Sequence, residues 1–216
     1  MAKDPALDEA VLPKGVIAPT DLVLEPDALC VFDFDGVVIN RSEDDLYKLP
    51  ASEAEEVNLR RIEKQMGLHV EPMHQCYRRH LIYQIAATQL GMPMVKGPAF
   101  DLYRTVAQQG RAFLLTARSG FYACQRAMAF LADHNCPPIE NFFVGRGGKN
   151  VALKFVCEEY APRSVYFVED SIAHLSRAAR MKLPNLRLVH VTAPNPPRPQ
   201  ADLAAHLQQT LARAFP

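Results

Sequence analysis

The feature that most constrains the fold is an apolar run leading into two aspartates and a glycine, Val31-Phe32-Asp33-Phe34-Asp35-Gly36. Two carboxylates this close together cannot both be buried without partners, because each unpaired buried charge is strongly destabilising. The run therefore predicts a buried strand over residues 28–34, with its aspartates at the tip where the chain turns at Gly36. Such oxygen donors suit Mg²⁺, a hard cation that often binds together with substrate phosphates.

Later segments supply further polar groups at the ends of apolar runs. One run ends at Thr116, and another ends at Glu169 and Asp170. A glycine-rich turn between them is followed by Lys149, which begins a helical pattern. Because ligands bind at the carboxyl ends of the strands in open α/β sheets, we expect these groups to meet at one edge.

The order of these elements, from Asp33 to Asp170, resembles the four motifs of the haloacid dehalogenase superfamily, whose first motif reads Asp-x-Asp-Gly-[Thr/Val]. The resemblance implies an α/β fold, a three-layer Rossmann-like parallel sheet. It also implies a small all-helical cap of the C1 type inserted between motifs I and II. The alternation of helical and strand-like patterns independently favours a parallel sheet between helical layers.

Composition along the chain predicts the domain organisation. Prolines break the first segment, and the region between the first two motifs is charged and helical in pattern. The predicted parts are an N-terminal arm at 1–28, a core at 28–40 and 98–192, a helical cap at 41–97, and a Pro-rich linker with a C-terminal helix at 193–216.

The resemblance assigns a role to each motif residue. Asp33 is the implied nucleophile, forming an aspartyl phosphate, and Asp35 is the implied general acid and base. Thr116 would hydrogen-bond a phosphoryl oxygen, and Lys149 would neutralise the nucleophile and the transferring group. Lys154, further along the same helix, is the rival lysine, but a solvated side chain is the ordinary expectation there.

The same resemblance implies the metal ligands and leaves the substrate contacts open. Mg²⁺ would be held by Asp33, Asp170 and the backbone carbonyl of Asp35. Glu169 would either support these ligands or bind the metal through a water molecule. Three residues near the motifs are candidate substrate contacts, each also explicable as an ordinary surface residue: Arg118, Ser119 and Arg146.

Composition excludes several classes of function. The chain has 216 residues, a formal net charge of zero and 49% hydrophobic residues, so no basic excess favours a nucleic acid polymer. It contains no apolar run long enough to predict a membrane span. Its 5 cysteines form no Cys-x-x-Cys pair and indicate reduced thiols in a cytoplasmic protein. The oligomeric state is left open.

The function predicted is that of a Mg²⁺-dependent phosphomonoesterase acting on a small phosphorylated metabolite, with nucleotide monophosphates among the candidates. Asp35 favours phosphatase or phosphomutase chemistry, because the family's ATPases have threonine there and its dehalogenases lack the acid. Two alternatives stay open. One is a phosphotransferase or phosphomutase with the same nucleophile, and the other is a non-catalytic binding protein on the same fold.

Overall fold

A computed structural model describes residues 11–40, 94–116, 121–138, 142–144, 149–160 and 163–192. A short 3₁₀ helix covers Pro19–Asp21. The remaining elements, in chain order, are β1 (Leu29–Asp33), β2 (Ile39–Asn40), β3 (Val95–Lys96), α1 (Phe100–Gln108), β4 (Ala112–Thr116), α2 (Phe121–Asp133), β5 (Phe142–Val144), α3 (Lys149–Glu159), β6 (Val165–Glu169), α4 (Ile172–Arg180) and β7 (Leu186–His190).

Five strands form one parallel sheet in the order β5-β4-β1-β6-β7. The first strand in the chain is thus the central one, with β4 and β6 on either side of it. Strand β1 is buried from Cys30 onward, as its apolar sequence predicts. Its two neighbours carry Thr116 and Glu169 to the same edge of the sheet.

Helices cover both faces of this sheet. Alternate residues of a strand point to opposite faces, so Val31 and Phe32 reach different layers. Val31 belongs to a buried cluster with Phe167 of β6, which α3 and α4 cover through side chains such as Leu153 and Leu175. On the other face the Phe32 ring lies 5.4 Å from the ring of Tyr103 in α1. The predicted three-layer α/β fold is confirmed.

The chain leaves and re-enters this core through a two-stranded antiparallel stem. Strand β2 pairs with β3, with Asn40 opposite Val95. At Gly97, just after the stem, a Cβ atom would lie 2.3 Å from the carbonyl oxygen of Val37, so only glycine fits there. The sequence analysis assigned Val95 and Lys96 to the end of the cap, whereas they pair with residues that directly follow the first motif.

The described part of the N-terminal arm runs along the far side of β7. The Ile17 amide donates to the Leu188 carbonyl at 2.8 Å, and the His190 amide donates to the Ile17 carbonyl at 3.1 Å. Further along the arm, the Glu25 carboxylate accepts a hydrogen bond at 2.9 Å from the hydroxyl of Ser164, which directly precedes β6. The arm therefore covers the edge strand that would otherwise present unpaired backbone groups.

The chain divides into two compact units, residues 1–40 with 95–194, and residues 41–94 with 195–216. Apart from Met94, all described residues belong to the first unit. The predicted helical cap and C-terminal helix lie outside the described residues. Within the described ranges, no helix is both long enough and apolar enough to cross a membrane.

Candidate active site

Three adjacent strands end in buried polar side chains at one edge of the sheet. Asp33 ends β1, Thr116 ends β4 and Glu169 ends β6. These residues are 2%, 1% and 0% exposed, respectively. Buried polar groups need partners, so their shared position indicates a built site.

Lys149 supplies the positive charge between two of these groups. It is the first residue of α3, and its Nζ lies 2.8 Å from Asp33 Oδ1 and 2.7 Å from Glu169 Oε2. Its side chain is only 11% exposed. Lys154, by contrast, is 61% exposed and lies 3.8 Å from Glu158 on the same helix. The structure thus brings Lys149, and not its rival, to the first motif.

The three charged groups have different proton affinities. Burial raises the pKa of Asp33 well above its usual range, and the Glu169 carboxylate raises it further, against the lowering effect of Lys149. Burial also acts to raise the pKa of Glu169, but the hydrogen bond with His174 and the Lys149 ammonium outweigh burial and hold that pKa below its usual range. The two carboxylates raise the pKa of Lys149 even though burial opposes them. Of the two carboxyl groups beside Lys149, Glu169 is therefore the easier to ionise and Asp33 the harder.

Asp35 follows the strand at a half-buried turn. Gly36 adopts a φ of 81°, which favours glycine, and its amide donates to the Ile39 carbonyl at 2.8 Å. The Thr116 hydroxyl donates to Asp35 Oδ2 at 3.4 Å. The structure therefore brings two predicted catalytic residues together, one from the end of β4 and one from the turn after β1.

A group of three carboxylates fits the donor preference of Mg²⁺. Asp33, Glu169 and Asp170 each present an oxygen, and these oxygens lie within 4.8 Å of one another. Oxygen donors without nitrogen or sulfur are the set that Mg²⁺ favours. Both Glu169 oxygens also accept hydrogen bonds, Oε1 from the Ser171 amide at 3.0 Å and Oε2 from Lys149. Glu169 thus orients the lysine and the turn that carries Asp170.

Two histidines that the sequence analysis did not single out reach this site. His174 Nδ1 lies 3.2 Å from Glu169 Oε2 and 3.3 Å from Lys149 Nζ. His190 Nε2 lies 3.2 Å from the backbone carbonyl of Asp170. A signal existed for His190, because it ends β7 at the same edge of the sheet. His174 follows the helix cap Ser171 by three residues, and its amide donates to the Ser171 hydroxyl.

Comparison with solved structures finds similar proteins at low sequence identity. CbbY from Rhodobacter sphaeroides, in complex with phosphate, is 14% identical with a TM-score of 0.43, covering 77% of this chain and 86% of its own. A haloacid dehalogenase-like family protein from Streptococcus pneumoniae is 13% identical with a TM-score of 0.43, covering 84% and 98%. A predicted phosphoglycolate phosphatase from Haemophilus somnus is 16% identical with a TM-score of 0.46, covering 81% and 89%.

The chain is similar to haloacid dehalogenase-like hydrolases. No protein-family model matches it, and no curated protein matches it. The predicted catalytic and metal-ligating residues are all described, and the structure brings them to one edge of the sheet. The candidate substrate contacts Arg118, Ser119 and Arg146 lie outside the described residues.

Proposed function

We propose that this protein is a Mg²⁺-dependent phosphomonoesterase of the haloacid dehalogenase superfamily that acts through an aspartyl phosphate on Asp33. The observation that carries the proposal is the placement of the buried Asp33 carboxylate 2.8 Å from Lys149, beside the acids at the end of β6. A buried carboxylate next to fixed positive charge suits attack on an anionic phosphoryl group. The proposed substrate is a small phosphorylated metabolite, and nucleotide monophosphates are included among the candidates.

The proposed reaction has two displacements at phosphorus. In the first, an Asp33 oxygen bonds to phosphorus while the ester P–O bond breaks, and Asp35 gives its proton to the leaving alkoxide. In the second, Asp35 takes a proton from water as the water oxygen bonds to phosphorus. The aspartyl P–O bond then breaks, which releases phosphate and restores Asp33.

The surrounding residues prepare this chemistry. Thr116 directs Asp35 through its hydroxyl, and we propose that the same hydroxyl contacts a phosphoryl oxygen once substrate is bound. Lys149 stabilises negative charge on Asp33 and on the transferring group. Asp33, Asp170 and the Asp35 carbonyl would hold Mg²⁺, which supplies further positive charge to Asp33 and the phosphoryl oxygens.

This need for positive charge follows from the burial of Asp33. Burial raises the pKa of its carboxyl group, yet the nucleophile must be ionised to attack. Lys149 alone offsets only part of the effect, since its ammonium is shared with Glu169. The dependence of the reaction on a divalent cation is thus an expected consequence of the site. We further propose a cytoplasmic location, where the free thiols of Cys30, Cys136 and Cys157 stay reduced.

The test is release of p-nitrophenol from p-nitrophenyl phosphate, with Mg²⁺ or with EDTA. We expect Mg²⁺-dependent turnover in the wild type and none in Asp33→Asn. Asp101→Asn is the matched control, because that aspartate is 77% exposed and pairs with Arg104 on α1. Equal turnover in Asp33→Asn and wild type would refute the assignment of the nucleophile.

A selective substrate site could exclude the synthetic ester, so a second measurement uses beryllofluoride with Mg²⁺ as a phosphoryl analogue. Binding by the wild type and not by Asp33→Asn is expected, detected as a shift in thermal unfolding. Turnover of a panel of phosphate monoesters, including nucleotide monophosphates, then defines the substrate. Absence of both turnover and beryllofluoride binding would refute the phosphatase proposal and favour a binding protein on this fold.

A further inference from the structure

The carbonyl groups of Glu169 and Asp170 are both bound from the end of β7. The Glu169 carbonyl accepts a hydrogen bond from the Val191 amide at 3.1 Å, which continues the pairing of β6 with β7. The next carbonyl in the chain, that of Asp170, lies 3.2 Å from Nε2 of the His190 ring. A side chain of β7 therefore extends the contact between the two strands to the residue that carries a candidate metal ligand.

The direction of the contact between His190 and Asp170 follows from its acceptor. A carbonyl oxygen has lone pairs and no proton, so the hydrogen of this bond must be on Nε2. Nε2 carries a hydrogen both in the neutral ring with its proton on that nitrogen and in the charged imidazolium. The hydrogen bond from His190 to the Asp170 carbonyl is therefore compatible with either charge of the ring.

The backbone of His190 is held from both sides of β7. His190 pairs with Glu169 in the parallel register of β6 and β7. On the other side its amide donates to the Ile17 carbonyl of the N-terminal arm at 3.1 Å, and the Ile17 amide donates to the Leu188 carbonyl at 2.8 Å. The ring thus reaches Asp170 from a strand end that is fixed by two neighbours.

These hydrogen bonds fix both peptide groups that flank Asp170. The peptide group before Asp170 is held through the Glu169 carbonyl. The peptide group after it is held twice, because its carbonyl accepts from His190 and its N–H, which belongs to Ser171, donates to Glu169 Oε1 at 3.0 Å. Since peptide groups are planar, fixing both of them fixes the backbone dihedral angles of Asp170 and limits where its carboxylate can point.

We propose that His190 is a positioning residue that holds Asp170 in place as a metal ligand, through the hydrogen bond from Nε2 to the Asp170 carbonyl. The inference rests on the proposed function, which assigns Asp170 to Mg²⁺. Its carboxylate oxygen lies within 4.8 Å of oxygens of Asp33 and Glu169. Without the His190 donor, the peptide group after Asp170 gains freedom to rotate, and metal binding must restore its orientation. The affinity for the metal therefore falls.

The variants separate the donor from the bulk of the side chain. The amide nitrogen of glutamine is as many bonds from the backbone as Nε2 of histidine, so His190→Gln keeps a donor within reach of the Asp170 carbonyl. The amide of asparagine is one bond shorter, so His190→Asn does not reach it, and His190→Leu removes the donor at similar bulk. Arg187→Leu is the control, because Arg187 is exposed on the same strand and donates to the Pro184 carbonyl in the turn before β7.

The first readout is the affinity for Mn²⁺ without substrate, measured on variants that unfold cooperatively in urea. Mn²⁺ prefers carboxylate and carbonyl oxygens, as Mg²⁺ does, and its unbound fraction is measured by electron paramagnetic resonance. We expect His190→Leu and His190→Asn to raise the Kd for Mn²⁺ about 10-fold, and His190→Gln and Arg187→Leu to stay within about 2-fold of the wild type. A glutamine variant as weak as the leucine variant, or a leucine variant that binds like the wild type, would overturn the proposal.

The second readout is hydrolysis of p-nitrophenyl phosphate over a range of Mg²⁺ concentrations. A loosened metal ligand is compensated by more metal. In His190→Leu the Mg²⁺ concentration for half-maximal rate should thus rise about 10-fold, while kcat at saturating Mg²⁺ stays within about 2-fold of the wild type. A lower kcat at every Mg²⁺ concentration, with an unchanged half-maximal concentration, would refute the positioning role.

The two readouts distinguish this inference from the proposed function. Mg²⁺-dependent turnover with the same half-maximal Mg²⁺ concentration in His190→Leu and wild type would refute the role of His190 and leave the proposed function standing. The expected pattern of Mn²⁺ affinities without turnover by any protein would refute the phosphatase proposal and establish the role of His190. A wild type that binds no Mn²⁺ would refute the metal site and this inference together.

Discussion

Replacing Lys149 with methionine tests the electrostatic account of the site most directly. Methionine keeps much of the length and volume of the side chain and removes its charge. The change leaves Asp33 and Glu169, which are 2% and 0% exposed, facing each other without the cation between them. A carboxylate oxygen of Asp170 also lies within 4.8 Å of an oxygen of Asp33 and of Glu169.

The expected loss of stability follows from the burial of these acids. Removing one partner of a buried ion pair destabilises a protein by about 3–5 kcal/mol, because a desolvated charge is left without compensation. Lys149 contacts two carboxylates at 2.7–2.8 Å, so we place Lys149→Met in this range at neutral pH. Lys154→Met is the matched control, and its exposed pair with Glu158 predicts a loss of at most about 0.5 kcal/mol.

The assay is urea unfolding of the three proteins in EDTA, at pH 7 and again at pH 5. Without the lysine, the pKa of at least one buried carboxyl group rises in the folded protein. A carboxyl group whose pKa is higher in the folded than in the unfolded protein contributes to stability at a pH below its unfolded pKa. This contribution is lost as the pH rises through the folded pKa. The deficit of Lys149→Met should therefore narrow at pH 5. A loss under about 1 kcal/mol at pH 7, or a loss that does not change with pH, would refute the reasoning.

Three further outcomes follow from the same structure. Asp33→Asn should abolish turnover and raise the free energy of unfolding in EDTA at pH 7 by about 0.5–2 kcal/mol, because burial disfavours the ionised carboxylate. A variant less stable than the wild type would contradict this. Gly97→Ala should destabilise the fold by about 1–3 kcal/mol, because the new Cβ atom would clash with the Val37 carbonyl. The measurement is the midpoint of thermal unfolding. An unchanged midpoint would contradict the prediction and show that the backbone shifts to admit the Cβ atom. Burial raises the pKa of Cys30 from 9.0 to about 12, so its thiol stays neutral in the folded protein while the unfolded chain ionises. Stability should thus fall by up to about 1.4 kcal/mol per pH unit above pH 9, and Cys30→Ala should show a shallower slope in urea unfolding.

The strands that carry the motifs could be predicted from sequence because their apolar runs are continuous and end in charge. Continuous apolar runs are typical of strands that are buried on both faces of a parallel sheet. The aspartates at the end of such a run must then lie at the carboxyl edge of the sheet, because burying them without partners is destabilising. Strand β1 was expected over residues 28–34 and spans Leu29–Asp33. The hydroxyl of Ser171 caps α4, as a serine directly before a helical apolar pattern predicts.

Features that depend on tertiary contacts were not predictable in the same way. The two-residue strands β2 and β3 are too short to show any periodicity, and their pairing depends on residues far apart in the chain. In α3, the apolar side chain of Phe155 is 45% exposed, while Leu153 is buried. The contact between His174 and Glu169 had no signal in the sequence, because it depends on where α4 begins relative to the end of β6.

The antiparallel stem places the two ends of residues 41–94 side by side. Asn40 and Val95 are paired neighbours, so a two-residue turn of the kind that closes β-hairpins is enough to join them. With such a turn in place of residues 41–94, we expect the stem to hold Gly97 against the Val37 carbonyl as before. The strands that end in Asp33 and Thr116 would then keep their pairing.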